Sequence, residues 1–311
     1  MSALQLMSQS PPTCPCCGAG DSQSLGSLPD STWFAGRPLN SALKGGDLYR
    51  CTTCSLKFRF PLQSEERYRE LYDNSRVATW TSGGPRADWD RIILQVERCL
   101  PQGGRILDFG CYTGGLLMRL GARYERFGVE VNRHAASVAS SATGVVVWPS
   151  INDAPEDSRF DAITISDVIE HLPNPMELLD RLQSRLAENG VVIITTGDAD
   201  AKLWNFFGSN WWYCFYPEHI AFISRLWVER VANTQGWIVL HVEHFRYRQV
   251  GAMMRLIELV GAFAYGFAPR AYLWTCNSLR HWGGRRALIT APGNGVSVDH
   301  ILVTLSCQRI P

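Results

Sequence analysis

Apolar and helix-like segments alternate along most of the chain. Seven short apolar stretches predict strands, at residues 105–110, 127–131, 145–148, 161–167, 190–196, 237–245 and 300–307. The first five alternate with helical spacers, a pattern typical of parallel strands joined by crossover helices. The hydrophobic pattern therefore predicts an α/β fold built around a parallel sheet.

Helical segments are expected between and before these strands. Residues 61–100 have helical spacing and end before Pro101. The clearest helix is predicted over residues 175–189, because Pro175 suits a first helical turn and Gly190 can end the helix. Its apolar face is formed by Leu178, Leu179, Leu182 and Leu186.

The composition is that of an ordinary globular protein. The 311 residues are 46% hydrophobic and 19% charged, enough for one α/β domain of about 200–250 residues and an appendage. The net charge of +1 provides no bulk attraction to nucleic acid or to an acidic membrane, so we expect no nucleic-acid partner. No Lys or Arg precedes Arg37, and no long apolar run starts the chain, so a secretory signal is not expected.

Cysteines are concentrated near the start of the chain. Five of the ten lie in the first 54 residues, which favours a cytoplasmic, reducing compartment and a metal cluster over a disulfide framework. We expect a flexible tail at residues 1–13 and a zinc-binding module at residues 14–60. Two Cys-x-x-Cys pairs supply four thiolates for a closed, structural zinc site, with Cys16 as a spare thiol that can exchange into it. The predicted ligands are Cys14, Cys17, Cys51 and Cys54.

A glycine loop follows the first predicted strand. It reads Asp108-Phe-Gly110-Cys-Tyr112-Thr-Gly114, and Glu130 ends the next apolar stretch twenty residues after Gly110. A strand–loop–helix–strand unit of this kind holds adenosine, because the glycines allow close backbone approach and the second acid accepts hydrogen bonds from the ribose. Asp108 would repel the pyrophosphate of NAD but suits the ammonium and sulfonium groups of S-adenosylmethionine (SAM). The loop therefore favours SAM and excludes a nicotinamide oxidoreductase.

This loop resembles motif I of the class I SAM-dependent methyltransferases, whose common form is Leu-Asp-x-Gly-Cys-Gly-x-Gly. The resemblance implies a Rossmann-like, seven-stranded methyltransferase sheet with its last strand antiparallel and helices on both faces. The small N-terminal module would be zinc-ribbon-like. Tyr112 departs from the family pattern, since it stands at the middle glycine. The cofactor-binding residues implied by the resemblance are Asp108, Gly110, Tyr112, Gly114 and Glu130.

A second informative run extends from Asp161 to Pro175. It looks like the fourth strand and following loop of these methyltransferases, often Asp-Val-Ile/Leu-Glu-His. Ligands of open α/β sheets bind where such strands end. The resemblance directs Asp167 to the methionine end of SAM and brings Glu170 and His171 near the methyl group. The alternative is that Glu170 and His171 only cap a short helix.

An aromatic stretch follows the fifth predicted strand and contains Tyr216-Pro-Glu218-His219. Tyr-x-Glu-His resembles the active-site segment of nucleotide-sugar C-methyltransferases, which also begin with a Cys-x-x-Cys zinc module. Over residues 14–246 the resemblance makes Tyr216, Glu218 and His219 catalytic candidates, together with His171. His219 would take a proton from the acceptor and Glu218 would orient it; the alternative is a structural turn. Those enzymes have a further C-terminal domain for which this chain is too short, which leaves the substrate class open.

Residues 247–295 are predicted to be a helical insertion before the last strand. The apolar run within residues 250–269 is shorter than the ~18 residues of a membrane span. We expect a buried helix that covers the site or a dimer interface, with peripheral membrane contact as the alternative. The basic stretch from Arg280 to Arg286 is expected to be a solvated loop, with binding of an acceptor phosphate as its alternative.

These patterns predict a SAM-dependent methyltransferase domain over residues 61–311. The expected acceptor is a small molecule, and the finer expectation is a nucleotide-linked sugar or glycan precursor methylated on carbon or oxygen. The alternative is a non-catalytic, zinc-dependent scaffold or nucleic-acid adaptor that keeps the fold. The sequence leaves the oligomeric state open.

Overall fold

The structure, a computed structural model, describes residues 11–73, 86–282 and 295–307. Thirteen strands and nine helices lie within those ranges. The strands are β1 Ser22–Ser27, β2 Ser31–Phe34, β3 Arg37–Leu43, β4 Asp47–Cys51, β5 Lys57–Phe60, β6 Gly104–Phe109, β7 Tyr124–Val129, β8 Val146–Trp148, β9 Phe160–Ser166, β10 Leu186–Gly197, β11 Ala221–Phe222, β12 Ile238–Phe245 and β13 His300–Ser306. The helices are α1 Glu65–Asp73, α2 Ala87–Cys99, α3 Gly115–Arg119, α4 Arg133–Thr143, α5 Pro175–Gln183, α6 Lys202–Phe207, α7 Arg225–Gln235, α8 Ala252–Phe267 and α9 Pro269–Trp282.

The largest sheet has seven strands in the order β12-β13-β10-β9-β6-β7-β8. Strands β8, β7, β6, β9 and β10 pair in parallel, whereas β13 pairs antiparallel with both β10 and β12. All seven predicted strands are present, and the antiparallel last strand is confirmed. The carboxyl ends of β6, β7 and β9 meet at one edge of the sheet, so the loops that follow them lie close together.

The centre of this sheet is buried on both faces. Ile106 in β6, Ile163 in β9, Ile193 in β10 and Val303 in β13 have no solvent exposure. Parallel strands covered by helices read as continuous apolar runs, which explains why these stretches were visible in the sequence.

The predicted helix at residues 175–189 is too long. Helix α5 ends at Gln183, and β10 already begins at Leu186, which pairs with Phe160 of β9. The pairing is irregular between Leu186 and Val191, so Gly190 lies within the strand. Leu186 is buried, as the predicted helical pattern requires, but it belongs to the sheet and not to the helix.

The N-terminal module is joined to the larger part of the chain by strand pairing. Strand β11 pairs antiparallel with β5, within a sheet of order β1-β4-β5-β11. Strands β2 and β3 form a separate hairpin. The N-terminal module therefore shares a sheet with the segment that follows the aromatic stretch. The boundary of the module at residue 60 stays a prediction. Residues 1–10 of the predicted tail lie outside the described residues.

Helices α8 and α9 precede β13. Helix α8 presents much of its apolar side chain surface to solvent, with Met253 72% and Phe267 70% exposed. The expectation of a buried helix is therefore wrong for the single chain, and its cover of a dimer interface stays a prediction. No helix of the described residues is long and apolar enough to cross a membrane. For the basic stretch, the side chains of 280–282 and all of 283–286 lie outside the description.

Candidate active site

The glycine loop makes a tight turn at the carboxyl end of β6. Gly110 and Gly114 have φ angles of +79° and +80°, a conformation that favours glycine. A Cβ atom on Gly110 would lie 2.4 Å from Cγ2 of Val168, which follows β9. The loop thus brings its backbone against the end of β9, as an adenosine-binding loop requires.

Glu130 fixes the shape of this loop. Its Oε2 accepts a hydrogen bond from the backbone N–H of Tyr112 at 2.9 Å, and its Oε1 accepts one from the N–H of Asn132 at 2.8 Å. Tyr112 has a φ of +47°, in the left-handed region, and it stands at the middle glycine of the motif that this loop resembles. The backbone turn therefore forms without glycine, at a cost of about 1 kcal/mol. Burial raises the pKa of Glu130. This arrangement preorganises the acid at the carboxyl end of β7.

Asp108 lies at the end of β6 and is buried. Its Oδ1 accepts a hydrogen bond from Oγ1 of Thr164 at 2.8 Å. Burial raises the pKa of Asp108 to about 7, against the lowering effect of the Thr164 hydrogen bond. A cationic ligand would bring this carboxyl group back to its ionised form, because an opposite charge favours the charged state.

Asp167 is held by an arginine that sequence reasoning did not identify. Its Oδ2 accepts from Nη2 of Arg86 at 2.7 Å and from the hydroxyl of Tyr247 at 3.2 Å. Arg86 also donates to Oδ2 of Asp88 at 2.6 Å. Oδ1 of Asp167 is buried without a hydrogen-bond partner, and burial raises the pKa of this carboxyl to about 7. Oδ1 is therefore the oxygen of Asp167 that would accept a hydrogen bond in the predicted contact with the methionine end of SAM.

Two histidines meet beside this edge. The His171 and His219 rings lie 5.1 Å apart. Nδ1 of His171 lies 3.0 Å from the carbonyl oxygen of Glu218, and Nδ1 of His219 lies 2.9 Å from that of Tyr213. Because a carbonyl oxygen only accepts, Nδ1 of His219 carries the proton and its Nε2 keeps its lone pair. Nδ1 of His171 also lies 2.9 Å from the hydroxyl oxygen of Tyr72, which can donate or accept.

Glu170 completes this group, which we call the acceptor cluster: Glu170, His171 and His219. One potential ligand atom from each of the three residues lies within 4.8 Å of the other two. Oε1 of Glu170 accepts from the hydroxyl of Tyr213 at 2.5 Å, while its Oε2 is buried without a partner. A buried oxygen of this kind is costly unless a ligand, proton or cation satisfies it.

The other two catalytic candidates play different parts in this geometry. Glu218 is buried and acts on His171, both through its carbonyl oxygen and through its charge. The group that orients His219 is therefore the Tyr213 carbonyl rather than the Glu218 carboxylate. The Tyr216 ring lies 5.3 Å from that of His219, and burial raises its pKa to about 12. All four predicted residues thus lie together.

A family model described as "Methyltransferase domain" matches residues 85–242, half of the chain. The chain belongs to this methyltransferase domain family. The match covers the glycine loop, Glu130 and the acceptor cluster, so the expectation of a class I SAM-dependent methyltransferase is confirmed for the family and the fold.

Similar proteins include several methyltransferases. The chain is 30% identical over 132 residues to the ubiquinone biosynthesis O-methyltransferase of Xanthomonas axonopodis pv. citri, covering 38% of this chain and 55% of that protein. It is 27% identical over 172 residues to the tRNA U34 carboxymethyltransferase of Aeromonas hydrophila, covering 49% of this chain and 50% of that protein. The chain thus spans about half the length of these curated relatives.

A solved structure shares the fold. It is the Burkholderia thailandensis 1,6-didemethyltoxoflavin-N1-methyltransferase, solved with S-adenosylhomocysteine. The TM-score is 0.51 at 10% identity, over 83% of this chain and 98% of that one. This likeness supports the Rossmann-like methyltransferase architecture.

In this methyltransferase-domain protein, a buried arginine of the N-terminal module holds residues 214–219, which we call the acceptor loop. Arg59 of β5 donates from Nη2 to the carbonyl oxygens of Cys214 and Tyr216 at 3.0 and 3.2 Å, and from Nε to that of His219 at 3.2 Å. Its Nη1 donates to the carbonyl oxygen of Gly45 at 2.8 Å. Sequence reasoning missed Arg59, because its partners in the acceptor loop lie at least 155 residues away along the chain.

The Arg59 contacts predict a large effect on stability. Arg59→Met should lower the free energy of unfolding by about 3 kcal/mol, because it removes several charge-assisted hydrogen bonds and leaves buried carbonyl groups without donors. Urea denaturation measures this change. Arg37→Met, at an exposed site in β3, is the matched control and should be close to neutral. Equal stabilities for the two variants would contradict this role of Arg59.

The four predicted metal ligands converge in the module. Sγ of Cys14 lies 3.7 Å from Sγ of Cys54, and Sγ of Cys17 lies 3.6 Å from Sγ of Cys51. A tetrahedral zinc site with Zn–S bonds of 2.3 Å has sulfur atoms about 3.8 Å apart. The four thiols therefore have the spacing that zinc requires, and all four lie within 4.8 Å of one another. Cys16 is buried beside this group but is not one of its four members.

Proposed function

We propose that this protein transfers a methyl group from SAM to a small-molecule acceptor. The observation that carries the proposal is the preorganised pair of the glycine loop and Glu130. One carboxylate oxygen of Glu130 holds the loop backbone at Tyr112, and the other holds the backbone of Asn132 after β7. SAM, when bound, supplies an electrophilic methyl group. The ribose hydroxyls would donate to Glu130, and Asp108 would lie on the side of the cationic groups.

In this proposal the acceptor cluster activates the acceptor. Burial lowers the pKa of His219 well below its usual value, and the nearby His171 lowers it further. His219 is therefore neutral at neutral pH, with its proton held on Nδ1 by Tyr213 and a lone pair on Nε2. We infer that Nε2 of His219 takes the acceptor proton, and that Glu170 stabilises the imidazolium that results.

The finer proposal for the acceptor is a nucleotide-linked sugar or glycan precursor. It rests on the Tyr216 to His219 segment and on the N-terminal cysteine module, which occur together in nucleotide-sugar C-methyltransferases. The O-methyltransferase among the relatives supports oxygen as the methylated atom, whereas the sugar enzymes support carbon. The same base serves both, since it forms an enolate from a keto-sugar or assists attack by a hydroxyl group.

A divalent cation is a second way for the acceptor cluster to activate an acceptor. One carboxylate and two imidazoles form a common ligand set, and a backbone carbonyl oxygen lies beside Nδ1 of each ring, as in known metal sites. The orphaned Oε2 of Glu170 supports this candidate. A cation there would bind an acceptor oxygen and lower its pKa.

We propose zinc as the structural metal of the four-cysteine site. Purified protein should contain one zinc per chain, and Cys51→Ser should lose it together with cooperative unfolding. Cys276→Ser, outside the module, is the matched control. Metal analysis also tests the cation candidate: a second metal per chain that is lost in His219→Gln would favour the cation, and one metal per chain would favour the proton-accepting role.

Turnover tests the proposed activity directly. The protein is incubated with SAM and a panel of nucleotide-linked sugars and hydroxylated acceptors, and S-adenosylhomocysteine is measured. Acceptor-dependent product above the no-acceptor control supports the proposal. Absence of S-adenosylhomocysteine binding by calorimetry would overturn it and favour the scaffold alternative.

A further inference from the structure

Helix α8 is oriented with its apolar side toward solvent. Its buried residues include Glu258, Ala262 and Gly266, whereas Val260 is 63% exposed and Phe267 70% exposed. Soluble surface helices have the opposite arrangement, with the apolar stripe facing the core. The exposed large apolar residues of α8 are Met253, Met254, Leu256, Ile257, Val260, Phe263 and Phe267.

This apolar surface continues onto neighbouring helices. Phe206 of α6, 62% exposed, packs its ring 6.3 Å from Phe263 and 6.0 Å from Phe267. Trp274 of α9 is 72% exposed. We call the surface formed by α8, Phe206 and Trp274 the apolar platform. Several large apolar side chains exposed on neighbouring helices mark an interaction site.

The platform is fixed rigidly beside the acceptor loop. A Cβ on Gly266 would lie 2.1 Å from the Phe207 ring, so only glycine permits this close approach. Nδ2 of Asn210 donates to the carbonyl oxygen of Gly266 at 2.9 Å. The Tyr265 ring lies 6.2 Å from Phe215, the neighbour of Tyr216. Whatever binds the platform is therefore brought close to the acceptor side of the site.

The charge around the platform identifies the kind of partner. The described residues 246–282 contain five arginines and a single acid, Glu258, although the whole chain has a net charge of only +1. Glu258 is turned inward, where its Oε2 accepts from the N–H of Gly295 at 2.7 Å and its Oε1 lies 3.5 Å from Nη1 of Arg248. Arg255 and Arg270 are exposed. The platform is thus apolar and cationic, and two copies of it would repel each other.

A basic cleft adjoins the base of α8. It has a volume of about 640 Å³, and its lining includes Arg91, Arg246 and Arg255. The charge of Arg91 is neutralised by Glu243, whose Oε1 lies 2.9 Å from Nε of Arg91. Arg246 and Arg255 are therefore the main source of positive charge in the cleft. Phosphate groups at the edge of an apolar surface suit such a cleft.

We propose that the apolar platform docks this protein on an anionic membrane surface, with α8 lying in the plane of the interface. Apolar side chains on one face and arginines nearby are the features of interfacial helices. Because the platform adjoins the acceptor loop, docking places the site next to amphiphilic acceptors. This last step rests on the proposed function and favours a lipid-linked glycan precursor over a freely soluble nucleotide sugar.

Vesicle sedimentation tests the docking without any assay of activity. The full chain should sediment with phosphatidylcholine vesicles containing about one third phosphatidylglycerol, bind phosphatidylcholine alone much more weakly, and be released by salt. The double variant Val260→Glu and Phe267→Glu should lose at least about tenfold in binding, because it places two acids in the apolar face. Leu94→Glu changes a partly exposed leucine of α2 and is the matched control.

Three results would overturn the proposal. These are equal sedimentation with both vesicle types, unchanged binding of the double variant, and a stable dimer in solution that the double variant dissociates. Calorimetry with S-adenosylhomocysteine reports separately on the cofactor site. If S-adenosylhomocysteine binds and the full chain fails to bind vesicles, the docking proposal fails and the proposed function stands. If the chain binds vesicles and S-adenosylhomocysteine does not bind, the proposed function fails and the docking proposal stands.

Discussion

Replacing Glu130 with alanine is expected to weaken SAM binding by at least about 100-fold. A hydrogen bond to a charged group contributes about 1.5–3 kcal/mol, and two ribose hydroxyls would lose such a bond, which corresponds to two or more decades in affinity. The same carboxylate holds the N–H groups of Tyr112 and Asn132. The loop that receives the cofactor therefore loses its shape at the same time.

Calorimetric titration with S-adenosylhomocysteine measures this effect. Glu130→Gln, which keeps one acceptor oxygen in place, should show an intermediate loss. Glu125→Ala is the matched control, because Glu125 lies on the same strand but its carboxylate is 61% exposed and pairs with Arg105. An unchanged dissociation constant for Glu130→Ala would remove the main support for SAM as the cofactor.

Replacing His219 with glutamine is expected to lower kcat by about 10²- to 10⁴-fold, the range that a positioned general base contributes. The KM for SAM should stay unchanged, because His219 belongs to the acceptor side. A merely structural histidine would instead lower the melting temperature and raise the KM for SAM along with the loss of kcat. His241→Gln, on β12 and outside the acceptor cluster, is the matched control.

The pH dependence provides an independent check on His219. A general base must be unprotonated, and the pKa of His219 is lowered by burial and by His171. The unprotonated form therefore persists below the usual imidazole value of 6.5, and the acid limb that His219 contributes to kcat should lie below that pH. A limb at or above the ordinary value that disappears in His219→Gln would contradict the assignment.

The sequence was sufficient for the features that depend on local pattern. The strands of the large sheet are buried on both faces, so each appears as an apolar run, and the glycine loop and Glu130 are marked by residue type and spacing. The end of α5 was not predictable in this way. Leu186 fits the apolar face of a helix as well as it fits the parallel pairing with Phe160.

Long-range contacts explain what sequence reasoning missed at the site. Arg59 binds carbonyl groups of the acceptor loop, and Arg86 binds Asp167, across separations of 81 residues and more. Neither arginine belongs to a recognisable motif. The sequence also left open whether the apolar face of α8 points inward or outward, because an apolar helix has the same sequence pattern whether it packs on the core or faces an external partner.

The crystal structure of the protein with bound S-adenosylhomocysteine is the most direct test of the account. We expect the ribose hydroxyls on the carboxylate of Glu130, and the sulfur atom directed toward the space in front of Glu170, His171 and His219. A cofactor bound with its ribose away from Glu130, or with its sulfur separated from the acceptor cluster by intervening side chains, would contradict it.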